Sequence, residues 1–155
     1  EALAILKIKG IAFTASLYGS PDPKDAAFYE ALKRRAHELG FDGIAAFHPG
    51  VPNDEAPAVF RAHEIFVNCS PSGMFDKMLF EAAASGCLVL ASSDDFRRAT
   101  SHAFFFETAP ELAARLEYAL AADEEVRTDS RAILNKLVQE HALPELVSRL
   151  SQVLR

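Results

Sequence analysis

The sequence predicts an α/β fold, a doubly wound Rossmann-like parallel sheet with helices on both faces, and three observations carry that prediction. Short apolar runs alternate with segments of helical period along the whole chain. One run, Leu88-Val-Leu-Ala91, is apolar at four consecutive positions, as a strand is when helices cover both sheet faces. The connections between runs are a few residues long, which suits β-α-β crossovers.

In chain order, Leu3 to Lys9 reads as a short apolar strand ending at Gly10, followed by a loop with the breaker-rich stretch Gly19-Ser-Pro-Asp-Pro23. Asp22 caps the next helix with Pro23 at its first position; the apolar stripe is Phe28, Leu32, Ala36 and Leu39, and Gly40 ends it. Ile44 to Phe47 is a strand, His48 to Asn53 a turn, about Asp54 to Ala62 a short helix, and Ile65 to Cys69 a strand. A helix from about Met74 to Ser85 turns Met78, Leu79, Ala82 and Ala83 inward and stops at Gly86. Leu88 to Ala91 and Ala103 to Phe106 are buried strands. Thr108-Ala-Pro-Glu111 is a capping box opening a helix with Leu112, Leu116 and Leu120. Val126, Ile133, Leu134, Leu137 and Val138 continue at helical spacing, and Pro144 opens a last amphipathic segment with Leu146, Val147, Leu150 and Leu154.

A chain of 155 residues, 50% hydrophobic, can bury one core, so residues 1–155 are expected to form a single domain. No run approaches the roughly 20 apolar residues of a membrane span, and the lysines within the first apolar run break any signal-peptide pattern. A cytoplasmic setting is expected. A net charge of −6 without a basic block argues against nucleic acid as a partner, and Lys33-Arg34-Arg35 reads as a solvated helix face. Cys69 and Cys87 are expected to be buried thiols in a reducing compartment. His48, His63, His102 and His141 share no metal-ligand spacing; Asp94-Asp95 reads as helix capping rather than a metal site, so no metal is expected.

The run from Ser70 to Ala91, Ser-Pro-Ser-Gly-Met-Phe-Asp-Lys-Met-Leu-Phe-Glu-Ala-Ala-Ala-Ser-Gly-Cys-Leu-Val-Leu-Ala, carries the chemistry. It reads as a strand end, a small polar turn, a helix with an acid one turn inside it, and a buried strand. A turn that opens a helix at the carboxyl edge of a parallel sheet aims backbone N–H groups and the positive helix end at an anion, usually phosphate. Asp76 and Lys77 fall in the first turn, and Glu81 follows Lys77 by one helical turn on the same side.

This run closely resembles the donor signature of the family 4 retaining glycosyltransferases, S-x-x-E-G-F-G-x-x-x-x-E-A-x-A-x-G-x-P-V. Further stretches are similar to the same family: Tyr29 to Gly40, Phe47-His-Pro-Gly-Val-Pro-Asn53, Phe60 to Val67, and His141 to Val147. The resemblance implies the GT-B fold, two Rossmann-like domains with the active site in the cleft between them. This chain would then be an incomplete C-terminal, nucleotide-sugar-binding half. The strand carrying the basic pair for the donor diphosphate would lie before Glu1, and the N-terminal acceptor domain earlier still. A chain opening without Met is expected to be an excised piece, inactive in transfer by itself.

By resemblance, Glu81 accepts hydrogen bonds from the ribose 2- and 3-hydroxyls; otherwise it is a surface partner of Lys77. Met74, Phe75 and Asp76 would offer backbone N–H groups to the diphosphate. Lys77 would add a point charge, or is simply solvated. Gly50 and Val51 match a turn whose backbone meets the nucleobase, though an ordinary turn requiring glycine explains them as well. Gly10 matches a strand-end glycine near the cleft. Gly73 breaks the pattern, because the family places an acid there, eight positions before Glu81. Either Asp76 takes over sugar recognition or the donor site has decayed. The donor substrate implied is a nucleoside-diphosphate sugar, with no further cofactor, and no catalytic residue is named in this half. A nucleotide-binding or interaction module of the same ancestry without transfer activity is the second reading. A phosphoacceptor receiver domain fits the size, but the positions needing acids read Gly10-Ile-Ala and Cys69-Ser-Pro.

Overall fold

Among the described residues, four short strands alternate with helices, as the periodicity demands. The computed structural model describes residues 1–70, 77–100 and 102–153, and falls into two compact units, Glu1 with Leu3–Ala56 and Ala2 with Pro57–Arg155.

The first unit runs α1 (Ala2–Ile8, its first residue grouped with the second unit), β1 (Ala15–Tyr18), a 3-10 turn at Pro23–Asp25, α2 (Ala26–Glu38) and β2 (Ala45–His48). β1 and β2 pair in parallel, from Ala15 opposite Ala45 to Tyr18 opposite His48. The second unit runs α3 (Ala56–Arg61, whose first residue belongs to the first unit), β3 (Ile65–Asn68), α4 (Lys77–Ala84), β4 (Leu88–Ala91), α5 (Asp94–Ala99), α6 (Ala109–Ala121), α7 (Glu124–Glu140) and α8 (Leu143–Val153), with a 3-10 turn at His102–Phe104. β3 and β4 are parallel, from Ile65 opposite Leu88 to Asn68 opposite Ala91.

The first apolar run is a helix, not a strand. Ile5-Leu-Lys-Ile-Lys9 looks alternating, but the residues the fold buries are Ala2 and Leu6, one helical turn apart, while Ile8 is 87% exposed. Ala, Leu and Lys favour the helix. It closes in a Schellman motif: the Ile11 N–H donates to the Leu6 carbonyl (3.1 Å) and the Gly10 N–H to that of Lys7 (3.0 Å), with Gly10 at φ 73°. The first strand lies further on, at Ala15–Tyr18, within the stretch read as loop.

α2 also differs from expectation. The Asp22 side chain makes no capping bond; it pairs with Lys24 at 3.4 Å, and the α-helix proper begins three residues after Pro23. Phe28 and Leu32 are exposed, because the helix meets its sheet through Tyr29, whose ring stands edge-on to Phe47 at 5.9 Å. Lys7 secures the other end of α2: its Nζ donates to the Leu39 carbonyl at 2.7 Å and to that of Gly40, and lies 5.3 Å from the centre of the Phe41 ring.

The second unit holds a dense core. Val89, Leu90 and Ala91 of β4 are buried under Leu79, Ala82 and Ala83 of α4 and Leu134 and Leu137 of α7, with Phe96 of α5 fully enclosed. Thr108 and Glu111 form the expected capping box, and Leu112 and Leu116 are buried behind it. Gly86, at φ 95°, ends α4 as expected, the Cys87 N–H donating to the Ala82 carbonyl at 3.0 Å. Several expectations fail here. Met78, Ile133 and Val147 are exposed rather than inward. Ala103–Phe106 is not a strand: after the 3-10 turn, only Phe105 bridges to Ala91, so the three buried phenylalanines fill the core without extending the ladder. The described residues include no helix long and apolar enough to cross a membrane.

Candidate functional site

At the carboxyl edge of β3 and β4 the last ladder rung is Asn68 opposite Ala91, and polar groups take over from there. Asn68 is 9% exposed, and its Oδ1 accepts from the Ser70 N–H at 2.8 Å, turning the chain as it leaves the strand. The Ser92 N–H donates to the Asn68 carbonyl at 3.1 Å and the Ser92 hydroxyl to the Ser70 carbonyl at 3.3 Å. The two strand ends are thus stitched together where the signature turn begins. Ser93, 3% exposed, caps α5 by accepting from the Phe96 N–H at 3.4 Å, so the cap is this serine and not the aspartates. Asp94 and Asp95 sit in the first turn and pair with Arg97 (2.6 Å) and Arg98 (3.9 Å). Asn68, Ser92 and Ser93 were not singled out from sequence, though an Asn closing an apolar strand is the signal that could have found the first.

Gly73, Met74, Phe75 and Asp76 lie outside the described residues. Lys77 and Glu81 lie within them, in the first turns of α4, with Nζ to Oε1 at 3.3 Å. The Lys77 side chain is 63% exposed and that of Glu81 38%, so the pair is weak and both groups remain open to solvent. Next to Glu81, the Phe80 ring lies against the His141 ring at 5.1 Å. An open cleft of about 440 Å³ adjoins His141, lined also by Asp95, Arg98, Ala99 and Glu140. At the opposite, amino end of β3 and β4, a hollow of about 30 Å³ between Ile65, Leu88, Tyr118 and Arg127 has room for a water or two but not for a nucleotide.

The carboxyl edge of β1 and β2 is built in a similar way. The Gly19 N–H donates to the His48 carbonyl at 3.1 Å, and the Gly50 N–H donates to the Ser20 hydroxyl at 3.1 Å. Gly50 is outside the left-handed region, and a Cβ there would meet Ser20 at 3.7 Å, an ordinary contact, so the backbone of this turn does not require glycine. Val51 follows, half-buried. Gly10 is not at a strand end, since α1 precedes it; the glycine in that position is Gly19, directly after β1. Tyr18 and His48, the last cross-strand pair, stack with ring centres 4.6 Å apart and planes 18° apart. Tyr18 was not singled out from sequence, and His48 was weighed there only as a metal ligand.

The two cysteines are free and unlike each other. Cys69 is exposed, contrary to expectation, because it follows the last rung of β3. Cys87 is buried, donates to the carbonyls of Phe60 (3.1 Å) and His63 (3.3 Å), and burial pushes its thiol up to about 11. Among the described residues, no group of three or more His, Cys, Asp or Glu is placed to hold a metal ion.

A family model described as glycosyl transferase-like matches residues 6–152, nearly the whole chain. The chain belongs to the glycosyl transferase-like family. The structure is similar to the catalytic domain of the cholesterol-α-glucosyltransferase from Helicobacter pylori, with a TM-score of 0.64 and 20% identity over 90% of this chain and 83% of that one. At that identity the likeness is one of fold, α/β with parallel strands and intervening helices. No curated protein matches the chain.

Proposed function

We propose that this glycosyltransferase-family chain is the donor-binding part of a retaining enzyme of GT-B architecture, moving a sugar from a nucleoside diphosphate to an acceptor. The family match over residues 6–152 carries this reading. The placement of Glu81 supports it: a half-exposed carboxylate on the helix that follows the stitched carboxyl edge of β3 and β4, where parallel α/β sheets take their ligands. Glu81 accepts from two ribose hydroxyls, for which a carboxylate has the lone pairs. Lys77, one turn earlier, contributes positive charge toward the diphosphate. Gly50 and Val51 present backbone to the base, and Asp76 replaces the acid missing at Gly73 in recognising the sugar. Charge growing on the departing diphosphate is stabilised by such positive groups and by backbone N–H donors.

The test is titration of Glu81→Gln and the parent with a panel of UDP, GDP, ADP and TDP and their 2-deoxy analogues. A hydrogen bond to a charged group contributes about 1.5–3 kcal/mol, so the variant should lose about tenfold to a hundredfold in affinity for the ribonucleotide, and less for the deoxy analogue, with melting unchanged. Equal binding by both proteins would return Glu81 to its ion pair with Lys77 and remove the assignment. Gly73 favours a second reading, a nucleotide-binding module without transfer activity. Nucleoside-diphosphate binding by the full-length protein without turnover of any nucleotide-sugar would establish it.

A further inference from the structure

We infer that the stacked pair Tyr18 and His48 is the platform on which the nucleobase of the donor lies, an inference that rests on the donor-binding reading above. Side chains opposite each other in adjacent parallel strands point to the same face. Tyr18 and His48 therefore share a face with Ser16 and Ala46 and oppose Leu17 and Phe47, the side against which Tyr29 of α2 packs. Ser16 and Ala46 are both small and exposed, so the rings stand above a low shelf at the end of the sheet, with Tyr18 itself 41% exposed. The backbone beneath them is fixed by the Gly19 N–H donating to the His48 carbonyl and the Gly50 N–H donating to the Ser20 hydroxyl. Beyond His48 the ladder of β1 and β2 has ended, so Gly50 and Val51, two and three residues further on, lie outside that pairing.

A cross-strand aromatic pair by itself contributes only modestly to the stability of a sheet. This one is placed at the carboxyl edge of a parallel sheet, where nucleotides bind in α/β folds. A flat heteroaromatic ring extends the stack by its π-face. Tyr18 and His48 are thereby assigned a part in base affinity, and His48, polar at both ring nitrogens, a part in which base is preferred.

The experiment titrates the parent chain, Tyr18→Ala, Tyr18→Phe and His48→Ala with UDP, GDP and ADP, and with inorganic pyrophosphate as a ligand that has no base. Base stacking on an aromatic side chain corresponds to about a 5- to 100-fold change in affinity. The expected result is a loss of that size for the nucleoside diphosphates in Tyr18→Ala, retention in Tyr18→Phe, no change for pyrophosphate, and an altered order among the three bases in His48→Ala. Upfield shifts of the His48 ring protons on adding nucleotide would report the same stack without any substitution. A parent that binds the nucleotides while Tyr18→Ala binds them equally well, or with the His48 protons unmoved, overturns the platform and leaves the donor-binding reading intact. Failure of the parent to bind any of the three nucleotides overturns both.

Discussion

The two parallel strand pairs of this protein are built to the same length and finish in opposite states. In β3 and β4, the flanking helix α4 buries Leu79, Ala82 and Ala83, and three of four β4 residues are fully enclosed. In β1 and β2 the residues alternate between half-buried and exposed on the first strand, and α2 buries no residue at all. Both pairs are stitched just beyond their last rung, by Ser92 to Asn68 in one and Gly19 to His48 in the other. The hydrogen-bonding that shapes a carboxyl edge is therefore independent of how much apolar surface lies beneath it. Stability is concentrated around β4, while the β1 and β2 edge is held by local ties and leaves aromatic rings accessible.

Mutations can break that contrast. Phe96→Ala empties the most enclosed large side chain of the second unit and should cost about 3–5 kcal/mol, measured by denaturant unfolding; a loss below 1 kcal/mol would show that the core around β4 does not carry the stability. The Cys87 thiol gives a second handle. Its folded value, raised by burial to about 11 from an ordinary 9.0, means that between those values the unfolded chain releases a proton that the folded chain keeps. Stability should be fully present below pH 9 and fall as pH rises toward 11, by on the order of 2 kcal/mol. Cys87→Ala should flatten that slope in unfolding free energy against pH, and an unchanged slope would assign it to other groups. Ser93→Ala removes the cap of α5 and should cost about 1 kcal/mol, with faster amide exchange at Phe96 as its local signature. The smallest effect is expected at Phe28→Ala on α2, within about 0.5 kcal/mol, because its ring is 72% exposed; a larger loss would mean that α2 buries more than its surface suggests.

Much of the second unit is legible in the sequence because its signals are redundant. Leu88 to Ala91 is apolar throughout, Thr108 and Glu111 stand at capping-box spacing, and Gly86 follows the last inward alanine. The structure realises each of these. The first unit misleads where two periods compete. Over so few residues, Ile5 to Lys9 satisfies both alternation and helical spacing, and only the burial of Ala2 and Leu6 selects the helix. That error displaced the first strand and put a strand end at Gly10, whereas the glycine directly after β1 is Gly19. The α2 stripe failed for a related reason: Phe28 and Leu32 are correctly spaced, but the sheet meets the helix at Tyr29.

For the candidate site, the sequence by itself pointed to the family through ordered motifs, named Lys77 and Glu81 by their resemblance to its signature, and placed the two on one side of a helix by their one-turn spacing. It also set the C-terminal end of α4 at Gly86 and the start of α6 at Thr108, since capping is chemistry between near neighbours in the chain. Only the tertiary structure decided what depends on residues far apart: that Asn68, Ser70 and Ser92 stitch one strand edge, that Tyr18 and His48, thirty positions apart, stack at the other, and that Cys69 is exposed while Cys87 is buried. The reason is physical. Local hydrogen bonds and dihedral preferences are written in short windows, whereas ring stacking, burial and the titration of a thiol are set by whichever atoms folding brings alongside.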